Sequence, residues 1–120
     1  MRKAAIAIAF IAFNSYALAL DCNNAMTDPE MYQCAGKDLA AADKKLNQTY
    51  GRLMSLLDNE GQKKLKEAQR AWLKFRDANA DFAGDLNRGG TLERLNFLGA
   101  KANMTNARVE ELDSEIESRK

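Results

Sequence analysis

"QRAWLKFRD", Gln69 to Asp77, is the stretch from which the fold can be read. At 100° per residue, Gln69, Trp72 and Arg76 fall within about 60° of one another on a helix. Trp72 marks the face that turns from water, yet that face also carries an amide and a guanidinium. The period says helix; the chemistry asks whether Gln69 and Arg76 form a structural network or a working site.

Reading outward, the helix begins near Asn59, with Gln62 at capping-box spacing, and ends at "NRGG", Asn87 to Gly90, where paired glycines supply a left-handed terminus. Its apolar stripe is expected to run through Leu65, Ala68, Trp72, Phe75, Asn79, Phe82 and Leu86. Upstream, "TDPE" places Thr27 or Asp28 at a cap, Pro29 in the first turn and Glu30 near the positive end of the dipole. Apolar positions then recur at Met31, Ala35, Leu39, Ala42, Leu46, Tyr50, Leu53 and Leu57 until "DNEG" (Asp58 to Gly61) breaks the run. Gly51 weakens that helix locally, by about 1 kcal/mol against alanine. Downstream, Thr91 can cap a third helix with the stripe Leu92, Leu95, Leu98, Ala102, Thr105, Val109, Leu112 and Ile116. Three amphipathic helices with short connections imply an all-α fold, an antiparallel three-helix bundle running up, down and up.

The first nineteen residues read differently. Arg2 and Lys3 precede a short apolar run, Ala4 to Phe13, and "ALA" (Ala17 to Ala19) offers small residues for cleavage. This is the pattern of a secretory signal, too short for a membrane span. Asp21 ahead of Cys22 does not suit a lipoprotein signal. Cleavage is expected after Ala19, leaving residues 20–120 as a single domain, exported to the periplasm or beyond. Losing Arg2 and Lys3 from 18 basic and 17 acidic residues leaves 16 against 17, a net of −1. Nothing here suits a polyanion, so nucleic acid is not an expected partner, nor is stable membrane insertion after the signal is removed. Two cysteines, Cys22 and Cys34, in an oxidising compartment read as one disulfide tethering the N-terminal segment. The bridge contributes on the order of 2–3 kcal/mol in the chain-entropy model.

Each helix brings polar groups close to its inward stripe. Asp43 and Asn47 share a face with Leu46 and Tyr50; Gln69 and Arg76 accompany Trp72; Thr105 and Arg108 lie beside Leu112. A lone buried guanidinium would cost several kcal/mol, so Arg76 and Arg108 must be paired or reach water. Asp43 is the expected carboxylate, with Asn47, Gln69 and the Tyr50 hydroxyl filling the remaining donors and acceptors. The rival reading has these groups lining a small cleft for a ligand or partner.

Catalysis finds little support. The chain has no histidine, which removes the commonest acid–base residue and the Ser/His and Cys/His pairs. No metal or cofactor site is expected, since two thiols without histidine make a weak zinc site. The run "VEELDSEIE" holds Glu110, Glu111, Asp113, Glu115 and Glu117. It reads first as a solvated face and second as a surface that could steer a cationic partner. Lys63, Lys66, Arg70 and Lys74 form a basic stripe read the same bland way.

In order along the chain stand a cysteine pair, "DKKLNQTY" (Asp43 to Tyr50), "QRAWLKFRD", "GGT" (Gly89 to Thr91) and "TNARVEEL" (Thr105 to Leu112). This ordered set resembles the LprI-type lysozyme-inhibitor N-terminal domain family, small helical domains of bacterial exported proteins and lipoproteins, from Cys22 to about Leu112. The resemblance implies a protein partner, a lysozyme or related wall hydrolase. It also implies a shared polar set of Asp43, Asn47, Tyr50, Gln69, Trp72, Arg76, Asp77, Thr105 and Arg108. Relatives commonly carry a second cysteine pair, and the matching positions here are Ala80 and Ala100. If those cysteines pair with each other in relatives, the end of helix two lies near the start of helix three.

Overall fold

A computed structural model describes residues 20–120 of the chain. The expected signal segment and its cleavage point lie outside the described residues. A short 3-10 turn, Cys22–Asn24, precedes three helices: α1 (Asp28–Ser55), α2 (Asn59–Asp85) and α3 (Leu92–Glu117). No strand occurs among the described residues, and the all-α bundle expected from the helical periods is the fold observed. Cys22 and Cys34 are bridged, with Cα atoms 5.5 Å apart.

The helix ends follow local chemistry, with three departures from expectation. Thr27 caps α1 by accepting from the Glu30 N–H, but the returning Glu30 carboxylate takes the Met26 N–H at 3.2 Å, not that of Thr27. At α2 the cap is Asp58, whose carboxylate accepts from the Gly61 N–H at 2.8 Å. Gln62 closes no box there; its amide donates to the Met54 and Leu57 carbonyls and so ties down the end of α1. Thr91 makes no side-chain cap on α3. Instead Glu93 reaches back to the Gly89 N–H at 2.8 Å, and the Tyr32 hydroxyl donates to the Thr91 carbonyl at 2.7 Å. Gly89 holds φ at 76°, the left-handed conformation that lets the chain turn there.

The aliphatic core is a seam between α1 and α3: Leu46 and Leu53 meet Val109, Leu112 and Ile116. Full burial of each such side chain is worth about 1.5–3 kcal/mol. The two helices run parallel, with Tyr32 near Thr91 at one end and Arg52 paired with Asp113 at the other. Helix α2 returns antiparallel and leans mainly on α3; it scarcely touches α1 outside the turn and the Asp43 level. Leu65 and Trp72 pack partly buried against the core. Further along, Ala80 and Gly84 are buried, and an added Cβ at Gly84 would stand 3.1 Å from the Glu93 carbonyl oxygen and 3.6 Å from Phe97.

One sequence expectation fails here. Phe75, Phe82 and Leu86 do not line the interior; they are 62%, 77% and 84% exposed. The face turned inward instead carries Leu65, Gln69, Trp72, Arg76, Ala80 and Gly84. Close approach of α3 accounts for the choice, because a contact that Ala80 and Gly84 fill leaves no room for phenylalanine.

Candidate functional site

The Arg76 side chain crosses from α2 into the space between all three helices and is 8% exposed. Its Nη1 donates to Asp43 Oδ1 on α1 at 3.0 Å and to Thr105 Oγ1 on α3 at 3.2 Å. Its Nε donates to Asp77 Oδ1 at 3.0 Å. The guanidinium carbon stands 5.4 Å from the centre of the Trp72 ring, close enough for cation–π attraction. Thr105, itself buried, donates to the Lys101 carbonyl one turn earlier, so its hydroxyl is satisfied on both sides. Lys101 completes the cluster by placing its ammonium 3.4 Å from Asp77.

One turn along, Arg108 repeats the arrangement in looser form. Its Nε donates to Gln69 Oε1 at 3.1 Å, its Nη1 to Glu111 at 2.9 Å, and its guanidinium also lies over Trp72. Asn79 reaches the Met104 sulfur from the same face of α2. Among the described residues, every buried side-chain nitrogen and oxygen has a partner. Partial burial by itself pushes the Asp77 carboxyl up, but the Arg76 hydrogen bond and charge, with Lys101 behind them, outweigh it and hold the pKa below its ordinary value of 3.8.

Seven of the nine polar-motif residues named from the sequence are therefore joined: Asp43, Gln69, Trp72, Arg76, Asp77, Thr105 and Arg108. Asn47 is exposed, and neither it nor the Tyr50 hydroxyl joins a hydrogen bond with the cluster; Tyr50 packs its ring on the core. Both line an open groove of about 500 Å³ between α1 and α2, with Asp43 on their side and Lys66, Gln69, Arg70 and Leu73 opposite. Sequence reasoning missed Lys101 as the second cation on Asp77. It also assigned Glu111 to the outer surface without seeing its bond to Arg108, although the i,i+3 spacing was there to be read.

The acidic run at the end of α3 is largely neutralised by the chain's own cations. Asp113 pairs with Arg52, Glu111 with Arg108, Glu115 with Arg119 and Glu117 with Lys120. Glu110 is exposed and makes no ion pair among the described residues. A second, apolar groove of about 700 Å³ lies between α2 and α3, edged by Phe82, Leu86, Leu95 and Ala100. Among the described residues no three His, Cys, Asp or Glu side chains converge to hold a metal ion. Nor is any described helix long and apolar enough to cross a membrane.

An indole within cation–π range of two guanidiniums, an α1 carboxylate reaching the α2 arginine, and a bridged N-terminal turn occupy motif positions quoted above. The family described as lysozyme inhibitor LprI matches residues 21–112. This chain belongs to the LprI family. An uncharacterised protein of Rhizobium meliloti (strain 1021) is 34% identical over 111 residues, covering 82% of this chain and 80% of the relative. No solved structure matches the chain. LprI proteins form an inhibitor family and not a catalytic one, and they are generally exported. Their name carries a function at the level of the family, lysozyme inhibition, and a protein as the kind of partner.

Proposed function

We propose that the chain is exported, loses residues 1–19, and binds and inhibits a lysozyme or a related wall-degrading hydrolase in the periplasm or outside the cell. The observation that carries this reading is the family match over residues 21–112. It is an inference from membership, and the site chemistry adds to it what kind of binder this is. With Arg76 paired across all three helices and Arg108 held by Gln69 and Glu111, the polar cluster acts as a fastening, and binding falls to exposed surface.

The acidic end of α3 is the candidate encounter face for a cationic enzyme. With Glu111, Asp113, Glu115 and Glu117 paired internally, its residual field is modest. Long-range steering should then add little, and inhibition should depend only weakly on salt. Residues 20–120, added to a lysozyme acting on bacterial cell walls, are expected to inhibit near equimolar ratio. Full activity at tenfold excess would overturn the reading.

The second reading is a non-inhibitory interaction module of the envelope, or a neutraliser of another exported toxin. The groove between α1 and α2 favours it: Asp43 and Asn47 on one wall and Lys66 and Arg70 on the other present both signs of charge to an entering chain. Capture from periplasmic extract on immobilised protein, competed by a Lys66→Glu/Arg70→Glu variant, distinguishes this groove from other surfaces.

A further inference from the structure

Helix α2 has two apolar faces, and the bundle uses only one. The outer face runs through Ala68, Ala71, Phe75, Ala78, Phe82 and Leu86. All six are exposed, because the bundle turns the Gln69, Arg76, Ala80 and Gly84 face of α2 inward. From Ala68 to Phe82 their spacing, three then four residues, is that of a coiled-coil seam, with Leu86 one turn beyond. Large and small side chains alternate along it: Ala71, Phe75, Ala78, Phe82.

We propose that this face is the contact between two copies of the chain, with their α2 helices antiparallel about a two-fold axis near the level of Arg76 and Asp77. An isologous interface must be self-complementary, and this stripe is complementary to its own reverse. In that register Phe75 packs on Ala78 of the second copy and Phe82 on its Ala71, and the symmetry repeats both contacts. Every phenylalanine meets an alanine, which lets the helices approach closely and interdigitate. On the flank of the seam, Lys74 of each copy faces Asp81 of the other; both are exposed and make no ion pair in the single chain among the described residues. A parallel pairing would set Phe on Phe and would part Lys74 from Asp81 of the second copy.

The area is sufficient for a reversible pair. At 62%, 77% and 84% exposure, Phe75, Phe82 and Leu86 present on the order of 400 Å² of apolar surface per copy. With the alanines and the Lys74 stem, pairing removes about 1,000 Å² in total, the lower end for specific interfaces. A dimer that forms in the micromolar range is expected.

Residues 20–120 should sediment as a concentration-dependent dimer, and Phe75→Ser/Phe82→Ser should be monomeric with an unchanged circular dichroism spectrum, since neither ring is in the core. The register has its own test. Residues 71 and 82 lie about 16 Å apart along one helix, so cysteines there cannot bridge within a chain. Oxidised Ala71→Cys/Phe82→Cys should become a covalent dimer, whereas Ala71→Cys alone should not. A wild-type chain that stays monomeric at several hundred micromolar overturns the proposal. So does ready cross-linking of Ala71→Cys alone, which would mean parallel or indiscriminate contact. A monomer whose lysozyme inhibition is lost in the double serine variant would assign the same face to the hydrolase, and would likewise overturn pairing.

Discussion

At position 76, a guanidinium can be 8% exposed because two carboxylates, a hydroxyl and an indole surround it. The carboxylates of Asp43 and Asp77 are themselves about half exposed, so they rehydrate when the arginine is removed. Arg76→Ala is therefore expected to cost about 2–3 kcal/mol, below the usual loss on breaking a fully buried pair. Arg76→Met keeps the packed stem and should lose less than half of that, as read by urea unfolding at neutral pH. The lowered pKa of Asp77 fixes the sign of a pH effect. Its contribution is fully present above the ordinary carboxylate value and fades as pH falls through the lower folded-state value. Asp77→Asn should be less stable at neutral pH and should show a flatter decline than wild type below about pH 4.

Among the elements, α2 separates what a period can and cannot reveal. Steps of three and four residues along Leu65, Ala68, Trp72, Phe75, Asn79 and Phe82 describe a valid heptad seam. The inward face is centred about 70° away, on Leu65, Gln69, Trp72, Arg76 and Ala80. Hydrophobicity chose the phenylalanines; steric room beside α3 chose the small residues. Glycine substitutions measure that room. No neighbour lies within 4 Å of a Cβ built on Gly51, so Gly51→Ala should stabilise by about 0.5–1 kcal/mol in thermal or urea unfolding. At Gly84 the Glu93 carbonyl stands at 3.1 Å, and the same change should gain nothing or destabilise. The contacts of Gly84 with Phe97 and of Asn79 with Met104 bracket Ala80 and Ala100 in the antiparallel register. Ala80→Cys/Ala100→Cys should therefore oxidise within the chain, detected as loss of free thiol without dimer formation.

For the molecule as a whole, stability is concentrated in the α1/α3 seam, and the bridged N-terminal turn packs chiefly on α1. Reducing the Cys22–Cys34 bridge should thus release residues before Asp28 without opening the core. The loss in global stability is expected to fall below the chain-entropy value of about 2–3 kcal/mol, because a segment free to fray limits what its tether can contribute. Hydrogen exchange under reducing conditions should quicken around residues 22–34 and remain unchanged at Leu53 and Leu112.

The sequence alone determined the three helices, most of their ends, the bridge, the family and the need for Arg76 to find a carboxylate. Those features follow from local rules: periodicity, capping chemistry, cysteine pairing and the cost of burying a charge. Tertiary structure alone decided which face of α2 points inward, that Lys101 joins Arg76 in holding Asp77, and that Arg52 of α1 takes Asp113 of α3. These outcomes depend on how closely two helix backbones approach and on which long side chains then come within reach. Neither distance is written in a linear period. The same approach that buries Ala80 and Gly84 leaves Phe75 and Phe82 outside, and so sets the surface this chain can offer a partner.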